Sequence, residues 1–120
     1  MNYFDTFFPA HRLPSKAHLQ QKLHPSRFPD MPRVLAAVAA FVLDAEYVQQ
    51  LRICEIAVTN DGGVFARIDH EPRLEHYIAD YGELLHGWRT LMVMARLSPA
   101  ERLFADSLFA ERVGIYDQID

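Results

Sequence analysis

The sequence predicts a predominantly helical α+β fold, with about four helices and one β-hairpin packed against them. Three observations lead to this prediction: an apolar seam with helical spacing in the second half of the chain, a glycine-rich turn between two β-branched segments, and a proline-containing capping box at Ser98. The predicted helices cover residues 15–23, 32–48, 72–97 and 99–113. The predicted hairpin strands cover residues 51–59 and 64–68.

The composition is typical of one globular domain. Apolar residues make up 50% of the 120 residues and charged residues 23%, so the chain can bury a core of its own. Prolines divide the first residues into short pieces. We therefore predict a single domain over residues 1–120, with residues 1–14 forming an arm.

The first two predicted helices begin at capping residues. Ser15 can cap a short helix, and Asp30 stands just before Pro32, which is tolerated in a first helical turn. Residues 34–43 are apolar on every side. This pattern predicts a central buried helix that continues to about Val48.

A β-hairpin is predicted between residues 51 and 68. Asn60, Asp61, Gly62 and Gly63 readily adopt the positive φ angles that a tight turn requires. Because a lone hairpin is marginally stable in water, it must pack on the helices. Its outer edge could also pair with the arm or with a partner chain.

The longest predicted helix covers residues 72–97. Its apolar residues are spaced alternately four and three apart, as in a buried helical stripe: Leu74, Ile78, Tyr81, Leu85, Trp88, Met92 and Ala95. Gly82 and Gly87 each cost about 1 kcal/mol relative to alanine inside a helix. Either a neighbouring element packs closely at a glycine, or the helix breaks near Gly82.

Predicted helix lengths indicate a second chain. At 1.5 Å per residue the helix over 72–97 would be about 39 Å long, and the buried helix over 33–48 about 24 Å. The last helix, expected to end at a left-handed Gly114, can cover only the second half of the long one. The uncovered first half, with Tyr77 and Tyr81, favours a homodimer.

The arm carries four aromatic residues: Tyr3, Phe4, Phe7 and Phe8. Such a cluster is unfavourable in water, so we expect it to lie in a groove of its own chain or to reach a second chain. Together with Tyr77 and Tyr81, these residues are the candidates for partner binding.

Charge is unevenly distributed along a chain whose net charge is −4. Residues 1–36 carry five basic and two acidic residues, giving +3, so the remaining residues sum to −7. The basic segment could dock on the acidic body, on a neighbouring subunit or on an anionic partner. Its dispersed charges do not favour nucleic-acid binding, which usually requires a clustered patch.

A polar cluster follows the predicted hairpin. His70 and Glu71, with Arg67 or Arg73 as an anion contact, could bind a ligand in a pocket between the hairpin and the long helix. Alternatively, Asp69 or His70 caps the helix and Glu71 interacts favourably with the helix dipole.

The other histidines and carboxylates of the long helix indicate a solvated face. His76, Asp80 and Glu83 would share one side, away from the apolar seam. Glu83 and His86 have the Glu-x-x-His spacing of di-iron bundles, but those sites need two such pairs and two further carboxylates. We therefore expect no metal site.

No catalytic motif is found in the sequence. Nucleophile elbows, phosphate loops and dinucleotide fingerprints are absent, and we expect no cofactor. Cys54, the single cysteine, lies in an apolar segment, which favours a small buried residue over a nucleophile. Trp88, Met92 and Met94 could form an adaptable groove, although core packing is the stronger interpretation of Trp88 and Met92.

These observations predict a small non-enzymatic interaction or regulatory module that acts through protein–protein contacts as a homodimer. The alternative is a ligand-binding protein or enzyme that uses His70 and Glu71. We expect a cytoplasmic location, because a single cysteine favours a reducing compartment and residues 1–5 do not resemble a secretory leader. We expect no membrane span, since the longest apolar run is residues 34–43 and a span needs about twenty residues.

Overall fold

A computed structural model of the chain describes residues 14–46, 51–69 and 76–115. Its helices are α1 (Lys16–Lys22), α2 (Arg33–Val42), α3 (Tyr81–Met94) and α4 (Pro99–Arg112), with a short 3-10 helix at Pro25–Arg27. Its strands are β1 (Ile53–Val58), β2 (Gly63–Ile68), β3 (His76–Asp80) and β4 (Val113–Ile115). Except for Pro14, the predicted arm lies outside the described residues.

The described strands form one mixed sheet in the order β3–β2–β1–β4. β1 and β2 form the antiparallel hairpin, with Ile56 opposite Ala66, and β3 pairs antiparallel with β2. β4 pairs parallel with β1, with Val113 opposite Ile56. The α+β class is therefore right, but the prediction of a single hairpin is wrong, because a strand is added on each side of it.

The predicted helix over residues 72–97 is wrong in its first part. His76–Asp80 form β3, and α3 begins only at Tyr81. Asp80 ends the strand, and its carboxylate accepts a hydrogen bond from the Gly82 N–H at 2.9 Å. The chain changes from strand to helix at Asp80. Before Asp80, β2 supplies the backbone hydrogen-bonding partners of a strand, and after it the Asp80 side chain caps the first turn of α3.

The shorter α3 also removes the mismatch in helix length. It has 14 residues, as does α4, so both are about 21 Å long. Helix length therefore no longer indicates a second chain. The later part of the seam is confirmed, since Trp88, Met92 and Ala95 are buried.

α2 is shorter than the predicted helix over 32–48. It ends at Val42, and the chain turns at Asp44, whose φ is +52°. A left-handed residue cannot continue a right-handed helix, and aspartate tolerates this conformation better than most residues. Residues 47–48 of the predicted helix lie outside the described ranges.

The helix starts predicted at Ser15 and Ser98 are confirmed. The Ser15 side chain accepts a hydrogen bond from a first-turn N–H. Ser98 forms a full capping box, in which its side chain accepts from the Glu101 N–H and the Glu101 carboxylate accepts from the Ser98 N–H. The predicted helix over 99–113 agrees with α4 to within one residue at its end, but Gly114 is not left-handed, because Arg112 leads directly into β4.

The core lies between the helices and one face of the sheet. Trp88 is fully buried, and its ring centroid lies 5.1 Å from that of Phe109. Other large side chains that are fully buried come from the helices, from β2 and from the residues that follow α1 and α2. They are Leu19, Leu23, Val38, Val42, Leu43, Val64 and Met92. Trp88 and Met92 are thus core residues, as the sequence favoured.

The basic part of the chain pairs with acidic groups of the same chain. The Lys16 Nζ lies 2.6 Å from the Asp44 Oδ2. Glu101 pairs with His18 at 2.5 Å and with Lys22 at 3.1 Å. For the described residues, these contacts support intramolecular docking of the basic segment. No described helix is both long enough and apolar enough to cross a membrane.

Candidate functional site: an apolar groove along α3

An apolar groove lies between α3, the start of α2 and the segment that joins α1 to α2. Its volume is about 450 Å³. The apolar lining comes from all three of these parts of the chain: Phe28, Pro29, Met31, Pro32, Leu35, Leu91 and Met94, with Gly87. We call this concavity the α3 groove. Its polar lining residues are Arg27, Asp30, His86 and Thr90.

The groove reaches the surface of α2 because Gly87 has no side chain. A Cβ atom at this position would lie 3.6 and 3.8 Å from the two methyl carbons of Leu35. At these distances the contact with Leu35 would be ordinary, so α2 does not require a glycine here. Of the two sequence alternatives, the break near Gly82 is confirmed, because the helix begins only at Tyr81. A longer side chain at position 87 would extend past Leu35 into the groove.

A second cavity of about 220 Å³ continues the groove toward the sheet. It shares Pro32, Leu35 and Gly87 with the first cavity. It adds four apolar residues and one charged residue: Val34, Ile78, Ala79, Leu84 and Glu83. From Glu83 to Met94 the lining follows α3 for about 16 Å, which matches three helical turns or about five residues of extended chain.

Prolines stiffen the wall that faces α3. Pro25 begins the 3-10 helix and accepts a hydrogen bond from the Phe28 N–H at 3.0 Å. The Met31 N–H then donates to the Phe28 carbonyl at 2.9 Å. Since Pro29 and Pro32 have restricted φ angles, this wall has little backbone conformational entropy to lose.

The end of α3 exposes apolar side chains beside the groove. Val93 is 63% exposed and Met94 is 59% exposed, and Met94 also lines the groove. Two other large apolar residues are similarly exposed within the described ranges, Tyr77 and Leu103. Exposed apolar surface that continues from a groove is typical of a protein interaction site.

Few charged residues lie beside the groove. Arg27 donates a hydrogen bond to the Lys22 carbonyl at 3.0 Å, and its guanidinium lies 5.8 Å from the ring centre of Phe28. Asp30 supplies the opposite charge, and Glu83 of the adjoining cavity adds one negative charge. Apolar contact therefore dominates what this groove offers to a partner.

Only one residue of the predicted ligand site is described. Arg67 lies on β2, and its Nη2 is 2.5 Å from the Glu55 Oε2 on β1. His70, Glu71 and Arg73 lie outside the described residues. The ligand role of this set stays a prediction, and the ion pair with Glu55 already occupies part of the Arg67 guanidinium.

The predicted partner residues that are described lie on different elements. Tyr77 is exposed on β3 and meets Phe65 edge to face, with 5.7 Å between the ring centroids. Tyr81 is half-buried at the start of α3, 6.5 Å from the ring centroid of Phe109. The four aromatic residues of the arm lie outside the described ranges.

Cys54 differs from its prediction. It is exposed, and its thiol donates to the Arg67 carbonyl at 3.4 Å. The register of β1 shifts between Ile53 and Glu55, so the strict alternation of a regular strand does not apply at Cys54. Within the described parts of the chain, no group of three His, Cys, Asp or Glu residues is arranged to hold a metal ion.

The sequence indicated the groove only through Gly87. The prolines around residue 28 pointed to an irregular segment, and nothing in their spacing showed that this segment faces α3. The sequence suggested a groove formed by Trp88, Met92 and Met94. Met94 does line the α3 groove, whereas Trp88 and Met92 are buried in the core. Comparisons with protein-family models, curated proteins and solved structures found no match.

Proposed function

We propose that this protein is a self-associating interaction module, in which the α3 groove of one copy binds the aromatic segment of residues 3–8 of a second copy. The apolar lining of a groove that runs about 16 Å along α3 is the observation that carries the proposal. Such grooves bind short protein segments through a few apolar anchors.

The occupant and the groove match in chemistry. Residues 3–8 contain Tyr3, Phe4, Phe7 and Phe8, and aromatic side chains supply large apolar contact area with few rotatable bonds. A six-residue extended segment is about 20 Å long, close to the length of the groove.

The arm is also long enough. Lys16 pairs with Asp44, so α1 begins near the C-terminal end of α2, whereas Pro32 and Leu35 place the groove at its N-terminal end. These ends are about 15 Å apart, and the five residues between Phe8 and Pro14 can span about 17 Å when extended. The segment can therefore reach a groove at this distance from the start of α1, including the groove of a second copy that lies within that distance.

A second copy can cover more of the exposed apolar surface at the end of α3 than the arm can cover by itself. The arm of one copy fills the groove, and the body that follows it can cover Val93 and Met94. In a two-fold dimer the same contact is made twice, so the buried apolar area doubles.

A cytoplasmic location belongs to this proposal, because an exposed Cys54 thiol is stable in a reducing compartment.

Analytical ultracentrifugation of the full chain tests the proposal. We expect a dimer at tens of micromolar, and monomers for Gly87→Leu, which fills the groove, and for Phe7→Ser/Phe8→Ser, which removes two anchors. The matched control is Leu103→Ser, an exposed residue of α4 that does not line the groove, and it should leave the dimer intact. Fluorescence of Trp88, the single tryptophan, verifies that each variant is folded.

Two results would contradict the proposal. A monomer over the whole concentration range would exclude self-association, and a lower melting temperature of Phe7→Ser/Phe8→Ser in such a monomer would place the arm on its own chain. A dimer that persists in Gly87→Leu would place the interface away from the groove.

A further inference from the structure

A cavity separate from the α3 groove lies at the C-terminal end of α2, next to the start of β1 and the end of α4. Its volume is about 400 Å³. Its apolar lining comes mainly from small residues and one aromatic residue: Ala37, Ala40, Phe41, Ala45, Leu51 and Ile53. Four polar or charged residues complete the lining: Asp44, Arg52, Cys54 and Arg112. We call it the Arg112 cavity.

The guanidinium of Arg112 is held in a fixed position. Its Nη2 donates to the Phe41 carbonyl at 3.4 Å and lies 3.2 Å from the Asp44 Oδ1. Its Cζ lies 4.2 Å from the ring centre of Phe41, a cation–π contact. The Nε of Arg112 is buried and makes no hydrogen bond. Arg112 is therefore oriented, and within the described residues its Nε donor has no acceptor.

The charge around this cavity favours an anion. Asp44 is the only carboxylate among the described residues of the lining, and both Lys16 and Arg112 pair with it, at 2.6 and 3.2 Å. The hydrogen bond from Lys16 lowers the pKa of Asp44, so this carboxylate is ionised at neutral pH. Arg52 pairs with Asp69 at 3.3 Å. These five groups leave one net positive charge.

We propose that the Arg112 cavity binds a small organic monocarboxylate. The carboxylate lies on Arg112 and Arg52, since arginine binds carboxylates through paired N–H donors. The apolar body of the ligand packs on Ala37, Ala40 and Phe41. One net positive charge and a half-apolar lining suit a single carboxylate better than a multiply charged phosphate.

Cys54 provides a direct reporter for this site. It is the only cysteine of the chain, it is exposed, and it lines the cavity. Iodoacetate is itself a small carboxylate, whereas iodoacetamide is its neutral analogue, and both alkylate a thiolate with loss of iodide. The rate with iodoacetate is divided by the rate with iodoacetamide, at Cys54 and for N-acetylcysteine. The value at Cys54 divided by the value for N-acetylcysteine is the normalised ratio, and it measures how strongly the cavity favours the anion.

We expect this normalised ratio to be severalfold above one and to fall as salt is added, because the attraction is electrostatic. Arg112→Gln and Arg52→Gln should each lower the ratio toward one. The Arg52 side chain is 73% exposed, so its variant tests the site without disturbing the packing around Phe41. Arg89→Gln, which removes an exposed charge on α3, is the matched control and should leave the ratio unchanged.

A second measurement uses benzoate as the probe. Benzoate should slow the alkylation of Cys54 by iodoacetamide with a saturable concentration dependence, and Arg52→Gln should weaken this protection. A normalised ratio of one together with no protection by benzoate would overturn the proposal. Protection that is equal in the wild type and in both arginine variants would also overturn it, because binding would then not involve these cations.

Discussion

The Nε2 of His18 lies 2.5 Å from the Oε2 of Glu101, which joins α1 to the first turn of α4. Glu101 also accepts hydrogen bonds from the Lys22 Nζ at 3.2 Å and from the Ser98 N–H at 2.8 Å. Its side chain is only 10% exposed. One largely buried carboxylate therefore links two helices from opposite ends of the chain.

Replacing Glu101 by glutamine should destabilise the protein by on the order of 2–3 kcal/mol at neutral pH. Burial by itself raises the pKa of Glu101, but the hydrogen bonds from Ser98, Lys22 and His18 outweigh it and lower the pKa to about 2. Because the folded-state pKa lies below the unfolded value, the stabilisation is complete above about pH 4.5. It is lost as the pH falls toward 2.

Urea denaturation followed by Trp88 fluorescence measures this effect. The free energies of unfolding of the wild type and Glu101→Gln should differ most near neutrality and converge as the pH is lowered from about 5 to 2. Glu111→Gln on the exposed side of the same helix is the matched control. A loss in Glu111→Gln equal to that in Glu101→Gln would mean that general charge, and not this contact, is responsible.

Ser98→Ala should cost about 1 kcal/mol, because it leaves the Glu101 N–H without its cap. Ser107→Ala is a suitable control in the same helix. Ser107 is exposed, and its hydroxyl donates only to the Phe104 carbonyl at 2.7 Å, so its removal should change stability by less than about 0.5 kcal/mol. Thermal melting compared across the three proteins checks both values, and equal melting temperatures for the two variants would refute the role of the cap.

Gly87→Ala should stabilise the protein by up to about 1 kcal/mol. The new Cβ would make an ordinary contact with Leu35 at 3.6 Å, and the gain comes from the higher helix propensity of alanine. Gly82→Ala should gain less, because its Cβ would lie 3.2 Å from the Asp80 Oδ1 that caps α3. Urea denaturation gives both values. A destabilised Gly87→Ala would show that α2 and α3 are too close at this position.

The elements that were predicted well carry local signals. Ser15 and Ser98 act as caps through their own side chains and the next backbone turn. The turn before Gly63 needs a positive φ, which Gly62 provides with φ +92°. Such features depend on a few consecutive residues, so the rest of the fold is not needed to recognise them.

β3 shows why spacing alone was insufficient. Ile78 and Tyr81 fit a helical seam, yet Ile78 lies on a strand and Tyr81 begins a helix. A local signal was present, because Asp80 followed three residues later by Glu83 resembles a helix start. Whether the residues before Asp80 form a strand depended on the free edge of β2, which the sequence of this segment does not contain.

The candidate site was the least predictable part of the molecule. The α3 groove combines residues near Phe28 with residues near Gly87, and the Arg112 cavity combines Cys54 with Arg112. These partners are far apart in the sequence and share no motif. Their proximity follows from how the helices pack on the sheet, so the sequence did not indicate these two cavities as units; the ligand role of the polar cluster around His70 stays a prediction.

By itself the sequence determined the capped starts of α1 and α4, the hairpin turn and most of the core side of α3, because short-range hydrogen bonds and helical periodicity encode them. The cap predicted at Asp30 is wrong, because α2 begins after Pro32 without a side-chain cap. Tertiary structure alone decided that His76–Asp80 would be a strand, that Val113–Ile115 would add to β1, and that Gly87 would open a groove over Leu35. The physical reason is that strand pairing and surface concavities depend on partners distant in the chain. The same five residues form a strand only when another strand offers its free hydrogen-bonding groups.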